Sequence, residues 1–423
     1  MKVLYVVNAV QKSFERFSDH PRTNFPWVDA LLGEIDQMES ISYALAVPVS
    51  ESDFRRHING SVTLYGLPYN PPKPSKFLLL RKRTTGFEEA RVLDYLRMAI
   101  DDFKPDIIQV FGTENQFGLV SSIVDIPVVI HFQGSVIAVS EKWFSGINRS
   151  EQKKSLTFRK ILYRSGVYNE YPVFRKKGER ELLIMKSSKF FIGRTEFDKK
   201  VIALMSPDSV YFHCEEFIRK EFLENRWNAS LTKNIKCISI LKGVTYKGID
   251  LLFETSKTLT SYGFPDIEFI VCGVKENEEV VRILHKRYKD DDCLRKVSFI
   301  GKVGTEELIK ELLSSNFYVH PSYMENSSNS ICEAMALGMP VIATNSGGTG
   351  SLIDDGIDGL LVQEGEALSL AASLSGLIRN YTLAKTIGNN ARERAFNRHN
   401  PEMIRNKTLE IYRAILGKSK VAG

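Results

Sequence analysis

The sequence predicts an α/β protein built from two doubly wound parallel sheets, each with helices on both faces. Val3–Val7 is continuously apolar, and Ile107–Phe111, Ile126–Phe132 and Ile267–Cys272 are largely so; all are rich in β-branched and aromatic residues, the pattern of strands covered on both sides. Stretches with apolar residues at helical spacing separate them, and strand–helix alternation builds parallel sheets. The chain has 423 residues, more than one core accommodates, so two domains of about 200 residues are expected. The composition turns polar around Asn225–Asn234, which places one domain at 1–230 and a second at 231–398. Residues 399–423 form a terminal helix expected to pack back on the first domain.

Hydrophobic residues make up 43% of the chain, with 28 Gly and 15 Pro, which excludes fibrous and disordered classes. Five cysteines, Cys214, Cys237, Cys272, Cys293 and Cys332, form no CxxC pair. That argues against a disulfide framework or zinc knuckle and favours a reducing compartment, so a cytoplasmic location is expected. The opening apolar run is broken at Asn8 and is too short for a secretion signal, and fits a first strand better. No run approaches the length of a membrane span.

The formal charge of +6 is mild, so its distribution matters more than its size. Lys and Arg concentrate with aromatic and aliphatic residues at Lys76–Arg83 and within Ser140–Glu181. Two readings are open: solvated helix faces with snorkelling stems, or a surface that rests on anionic lipid at the inner face of a membrane. No nucleic-acid-binding signature is present, and no nucleic-acid partner is expected.

In chain order, strand Val3–Val7 leads through a polar loop, Gln11–Asn24, to a helix opened by Pro26. Glu88–Phe103 has helical spacing and stops before Pro105, and strands at 107–111 and 126–132 end in Gly112-Thr113-Glu114 and Gln133-Gly134-Ser135. Phe190–Ile192 and Val210–Phe212 are two more short strands. Between Ser140 and Glu181 no periodicity is legible. A second alternation then begins: strands at 236–241, 267–272 and 297–300, and helices at 248–259, 280–288 and 305–313. Helices at 367–379, 383–396 and 402–416 close the chain.

The most informative stretch is Asn316–Val362. Phe317–His320 is a strand ended by Pro321, and Ser330–Leu337 is a helix stopped by Gly338 and Pro340. Val341–Thr344 is a further strand with Gly347 and Gly348 at its carboxyl end, where open α/β sheets bind ligands. Asn329 or Ser330 can cap the helix, leaving backbone N–H groups at a positive helix end that suits a diphosphate. Lys242 and Lys247, beyond the strand ending at Leu241, can add charge to the same anion. Glu333 has a purely local reading as well, because Ser330-x-x-Glu333 is a capping box. Glu325 on the loop, and the two lysines, could equally be solvated.

Taken together these residues carry a family resemblance. Leu241-Lys242, Tyr246-Lys247-Gly248-Ile249-Asp250, Val271-Cys272-Gly273, Phe299-Ile300-Gly301 and His320-Pro321-Ser322 precede the pair Glu325/Glu333, followed by Ala334–Ala343 and Gly347-Gly348. Over about 130 residues this resembles the donor-binding domain of the retaining GT-B glycosyltransferases of family 4. The resemblance implies a GT-B fold, two Rossmann-like domains facing across a cleft. It implies transfer of a hexose from a nucleotide sugar, most often a UDP-sugar, to a saccharide or lipid-linked saccharide acceptor with retained anomeric configuration.

In that family the residue matching Glu333 accepts from the ribose hydroxyls and the one matching Glu325 lies by the donor sugar. Lys242 and Lys247 match the pair that stabilises the departing diphosphate. Amides around Ser328, Asn329 and Ser330 meet the phosphates, and Gly347 and Gly348 belong to the same donor site. No cofactor and no metal is expected, since the lysines and the helix end take the charge.

The chain also departs from the family. No paired glycines follow the first strand, Ser351 stands where a Glu is frequent, and Gln133 stands where a His is frequent. His131, two residues earlier on the same side of the strand, is the other candidate for the role of that histidine. Glu114 and Arg194 fall at strand ends of the first half, on the expected acceptor side. Two rival readings follow: a GT-B sugar-nucleotide epimerase, and a non-catalytic GT-B subunit that supports a partner transferase.

Overall fold

The computed structural model describes residues 1–8, 26–69, 85–231 and 233–421. The loop Gln11–Asn24 and the basic-apolar run Lys76–Arg83 lie outside the described residues. The chain divides into two compact units, Met1–Ile137 with Lys176–Phe217 and His399–Gly423, and Ala138–Arg175 with Ile218–Arg398.

The first unit is built on eight strands: β1 (Lys2–Val6), β2 (Ser42–Val49), β3 (Arg55–Asn59), β4 (Val62–Pro68), β5 (Ile107–Phe111), β6 (Val128–His131), β7 (Phe190–Gly193) and β8 (Val210–His213). Their order is β3-β4-β2-β1-β5-β6-β7-β8. Neighbours run parallel except at the β3–β4 hairpin. β1 is buried beyond Lys2 and β5 along its whole length, including the polar Gln109. The sequence reading passed over β2, whose Pro48 argues against an inner strand. Pro48 is tolerated because it lies beyond the span 42–46 that pairs with β1. The terminal helix Pro401–Val421 buries Ile404, Ile411 and Ile415 in the same core as Leu32, Ile35 and Tyr5. Tyr412 of that helix donates to the Gln109 Oε1 of β5 at 2.5 Å.

The second unit has six strands: β9 (Ile235–Ile240), β10 (Ile267–Cys272), β11 (Val297–Gly301), β12 (Phe317–His320), β13 (Val341–Thr344) and β14 (Leu360–Val362). All pair in parallel in the order β11-β10-β9-β12-β13-β14. Counted from β9 this is 3-2-1-4-5-6, the order whose ligand crevice opens at the carboxyl ends of the two central strands. Here those strands are β9 and β12. Cys237, Phe269, Val271, Phe317 and Val319 pack on one face. Ile238, Ile270, Tyr318 and Ala343 pack on the other, with the helix Asn329–Leu337.

This division differs from boundaries at 1–230 and 231–398. Residues 138–175 join the second unit because their interactions lie there. Thr245 Oγ1 donates to the Trp143 carbonyl at 2.5 Å, Arg287 clamps Glu151 at 2.7 Å, and Glu279 holds Ser155 and Lys160, each at 2.7 Å. Residues 218–230 join it through Phe222 and the indole of Trp227, which donates to the Ser315 carbonyl at 2.7 Å. The segment without legible periodicity contains three helices, Arg149–Lys154, Phe158–Tyr163 and Val167–Ser187, the last with Pro172 inside it. Among the described residues no helix is long and apolar enough to cross a membrane.

Candidate active site

In the second unit, the chain segments beyond β9, β12 and β13 converge at the carboxyl edge of the sheet. Gly248 starts the helix Ile249–Ser261 at a φ of +71°, and a Cβ there would sit 1.9 Å from the Pro321 carbonyl oxygen. Only glycine allows that approach. Gly347 does the same for the neighbouring loop: its φ is +55°, and a Cβ would stand 1.9 Å from the Glu325 carbonyl oxygen. The Gly348 amide donates to that same oxygen at 3.0 Å. The paired glycines therefore position the Glu325 loop through its backbone.

Glu325 is held from two sides. Lys247 Nζ lies 2.5 Å from Oε2, and His320 Nε2 lies 2.8 Å from the same oxygen. Tyr318 and Ser322 approach the two ring nitrogens of His320 at 3.3 and 3.0 Å. Burial alone would raise the Glu325 pKa, but Lys247 and His320 outweigh it and hold the carboxyl well below the usual range. Burial and Lys247 keep His320 below its ordinary value. The result is an ionised carboxylate beside a buried imidazole.

Glu333 does not form the capping box read from Ser330. The helix begins at Asn329, Ser328 is its N-cap residue without a side-chain capping bond, and Ser328 and Ser330 face each other at 2.9 Å. The Glu333 carboxylate turns instead to Arg219, which donates from Nε at 2.7 Å and Nη2 at 2.8 Å. Burial pushes the Glu333 pKa up while Arg219 opposes it. Lys242 is exposed, whereas Lys247 is drawn into the site.

Three more polar residues stand at the junction of these loops. Asn326, Ser346 and Thr349 are buried, and the Asn326 amide and both hydroxyls have no hydrogen-bond partner in the protein. Buried polar atoms are rarely left so. They flank Glu325 and the Gly347-Gly348 pair and point to a polar ligand. Sequence reasoning missed them, and it missed Arg219, which lies 114 residues from Glu333 with no spacing signal to connect the two.

Residues 221–394 match the model of the glycosyl transferases group 1. This segment of the chain resembles that family. The chain is similar to the capsular polysaccharide biosynthesis glycosyltransferase CapM of Staphylococcus aureus, 27% identical over 205 residues, 47% of this chain and 51% of that protein. It thus spans about half the length of the curated relatives it matches. In fold it resembles sucrose-phosphate synthase from Thermosynechococcus elongatus, with a TM-score of 0.68 at 15% identity over 99% of this chain and 100% of that one. It also resembles Anabaena HepE in complex with UDP-glucose, with a TM-score of 0.65 at 14% identity over 98% and 100% of the two chains. The architecture is GT-B, with two Rossmann-like halves.

Beyond the group 1 segment, the first unit places its candidate residues in two clusters. Arg194 does not pair through its guanidinium with the nearby Asp198 carboxylate; it is buried, and its partner is Glu216, at 2.7 Å. Asp198 instead caps the following helix through the backbone amides of Arg194 and Thr195. Gln133 is half-buried; its amide donates to Glu216 and its oxygen accepts from Arg194 at 3.3 Å. His131 is buried, 3.3 Å from Gln109 and 3.4 Å from the Glu216 carboxylate. Burial brings its pKa down to about 4, so it is neutral at pH 7.

Glu114, half-buried at the end of β5, accepts from Asn8 at 3.0 Å; burial and Glu181 push its pKa up. Glu181, fully buried, accepts from Thr113, Ser135 and the amides of Val136 and Ile137 at 2.7 to 3.0 Å, and so fixes the loops after β5 and β6.

Proposed function

We propose that the protein is a retaining glycosyltransferase that moves a hexose from a nucleotide sugar to a saccharide or lipid-linked saccharide in surface polysaccharide or glycolipid synthesis. The observation that carries this reading is the set of unpartnered buried groups, Asn326, Ser346 and Thr349, beside the ionised Glu325 at the sheet's carboxyl edge. A donor's sugar and phosphate oxygens supply the partners these groups lack. Glu333, oriented by Arg219, accepts from the ribose hydroxyls. Lys242, Lys247 and the amides at Ser328, Asn329 and Ser330 take the charge of the departing diphosphate, so the reaction needs no metal ion. The HepE complex with UDP-glucose supports a UDP-sugar as donor. Of the two first-unit candidates, half-buried Gln133 is better suited to meet substrate than buried, neutral His131. Glu114 and Arg194 belong to the acceptor side. The enzyme acts in the cytoplasm, peripherally at the inner face of the membrane.

Incubation with labelled UDP-, GDP- and ADP-sugars tests the reaction. A glycoside, or slow release of free sugar, supports the transferase. An isomerised sugar nucleotide would point to an epimerase, and complete inertness to a non-catalytic subunit.

A further inference from the structure

The second unit carries a surface with no packing role of its own. The helix Phe158–Tyr163 has no buried residue. Phe158 is 83% exposed, Ile161 59% and Leu162 56%. Their spacing, i, i+3 and i+4, puts all three on one helical face. A two-turn helix is unstable by itself in water, and this one is held by polar anchors. Thr157 caps it by accepting from the Lys160 amide, and Lys160 Nζ is fixed to Glu279 at 2.7 Å and to the Ser155 carbonyl at 3.1 Å. The fold thus fixes the helix by its polar side and presents its apolar side outward.

The charge around this face is one-sided. Lys153, Lys154, Arg159 and Arg164 are all exposed. Glu151, the one carboxylate between Arg149 and Arg164, is taken up by Arg287. Beside the helix is a recess of about 520 Å³ lined by Thr157, Arg159, Lys160, Tyr163, Ser165 and Arg282, a cationic and hydroxyl-bearing lining suited to a phosphate group. Apolar side chains ringed by Lys and Arg, with an aromatic residue at the border, match the boundary between headgroups and acyl chains.

We infer that Phe158, Ile161 and Leu162 insert into an anionic lipid surface, with Arg159 and Arg282 receiving a lipid phosphate in the adjoining recess. The inference rests on the proposed peripheral association and assigns it to this element. Flotation with phosphatidylcholine vesicles, with and without phosphatidylglycerol, tests it. The wild-type protein is expected to float with the anionic vesicles, less so as salt shortens the screening length. Phe158→Ser/Ile161→Ser/Leu162→Ser and Arg159→Glu/Arg164→Glu should each lower the bound fraction about tenfold or more. Their melting temperatures should not change, because no buried residue is altered. Wild-type flotation that survives both sets of substitutions overturns the assignment and leaves peripheral association standing. No flotation by the wild type overturns both. Light scattering that shows a dimer dispersed by the apolar substitutions, without flotation, would make a second copy the occupant and overturn the lipid.

Discussion

The guanidinium of Arg219 grips the carboxylate of Glu333 through two parallel hydrogen bonds, Nε to Oε1 at 2.7 Å and Nη2 to Oε2 at 2.8 Å. Glu333 sits on a buried helix and Arg219 just before a short one, Lys220–Glu224. Arg219 also lies over the Phe222 ring and donates to Thr305 at 3.1 Å, so its own orientation is fixed. Two-point contact sets the plane of the carboxylate as well as its position.

Removing Arg219 leaves a buried carboxylate unpaired. Arg219→Leu should therefore cost roughly 3–5 kcal/mol of stability, and Glu333→Gln less, since the guanidinium that remains still donates to the amide oxygen and to Thr305. Urea denaturation of the two variants measures the difference, and equal losses would speak against a stabilising clamp.

Lys247 and His320 together hold Glu325 ionised against its burial. Lys247→Met should raise the Glu325 pKa, which carbon-13 NMR of labelled glutamate can follow. Under the proposed function, Glu325→Gln should slow transfer about 10²–10³-fold while nucleotide binding is largely kept. A transfer rate close to wild type would remove Glu325 from the reaction.

Gly347→Ala places a methyl group 1.9 Å from the Glu325 carbonyl oxygen at a φ of +55°. The loop must move, at a cost of about 2–4 kcal/mol. A lower melting temperature is expected, with loss of the rise in melting temperature that a bound sugar nucleotide gives the wild type. Gly376→Ala, in an open helical position, is the control and should be slightly stabilising.

His131 sets a pH dependence in the first unit. Its pKa is about 4 in the fold against an ordinary value of 6.5, so the unfolded chain takes up its proton first. The stability from the neutral, buried ring is complete above pH 6.5 and is lost as pH falls through about 4. At pH 4.5 the loss should reach roughly 2–3 kcal/mol. Denaturant titrations of wild type and His131→Gln between pH 7 and 4.5 check this. Parallel curves would show that His131 does not titrate as its burial requires.

The second sheet and its glycines were legible because its strands are short, largely apolar runs, several ended by a glycine or proline, as Val271-Cys272-Gly273 and His320-Pro321 illustrate. Glu325 and Lys247 could be placed at one sheet edge from strand ends alone. What could not be read were pairings across distance. Arg219 meets Glu333 by tertiary packing, and that pairing overrode the local capping-box pattern at Ser330. The helix Phe158–Tyr163 escaped notice because polar anchors hold it and no apolar stripe faces a core. β2 was hidden by Pro48, whose position relative to β1 only the register reveals.

Calorimetric titration of whichever nucleotide among UDP, GDP and ADP binds, into wild type and Glu333→Ala, tests the central claim most directly. If Glu333 receives the ribose hydroxyls, the variant should bind about tenfold or more weakly, while Lys289→Ala, at an exposed position with no assigned role, matches wild type. Equal affinity of Glu333→Ala and wild type would contradict the account, leaving the Arg219–Glu333 pair as a purely structural clamp.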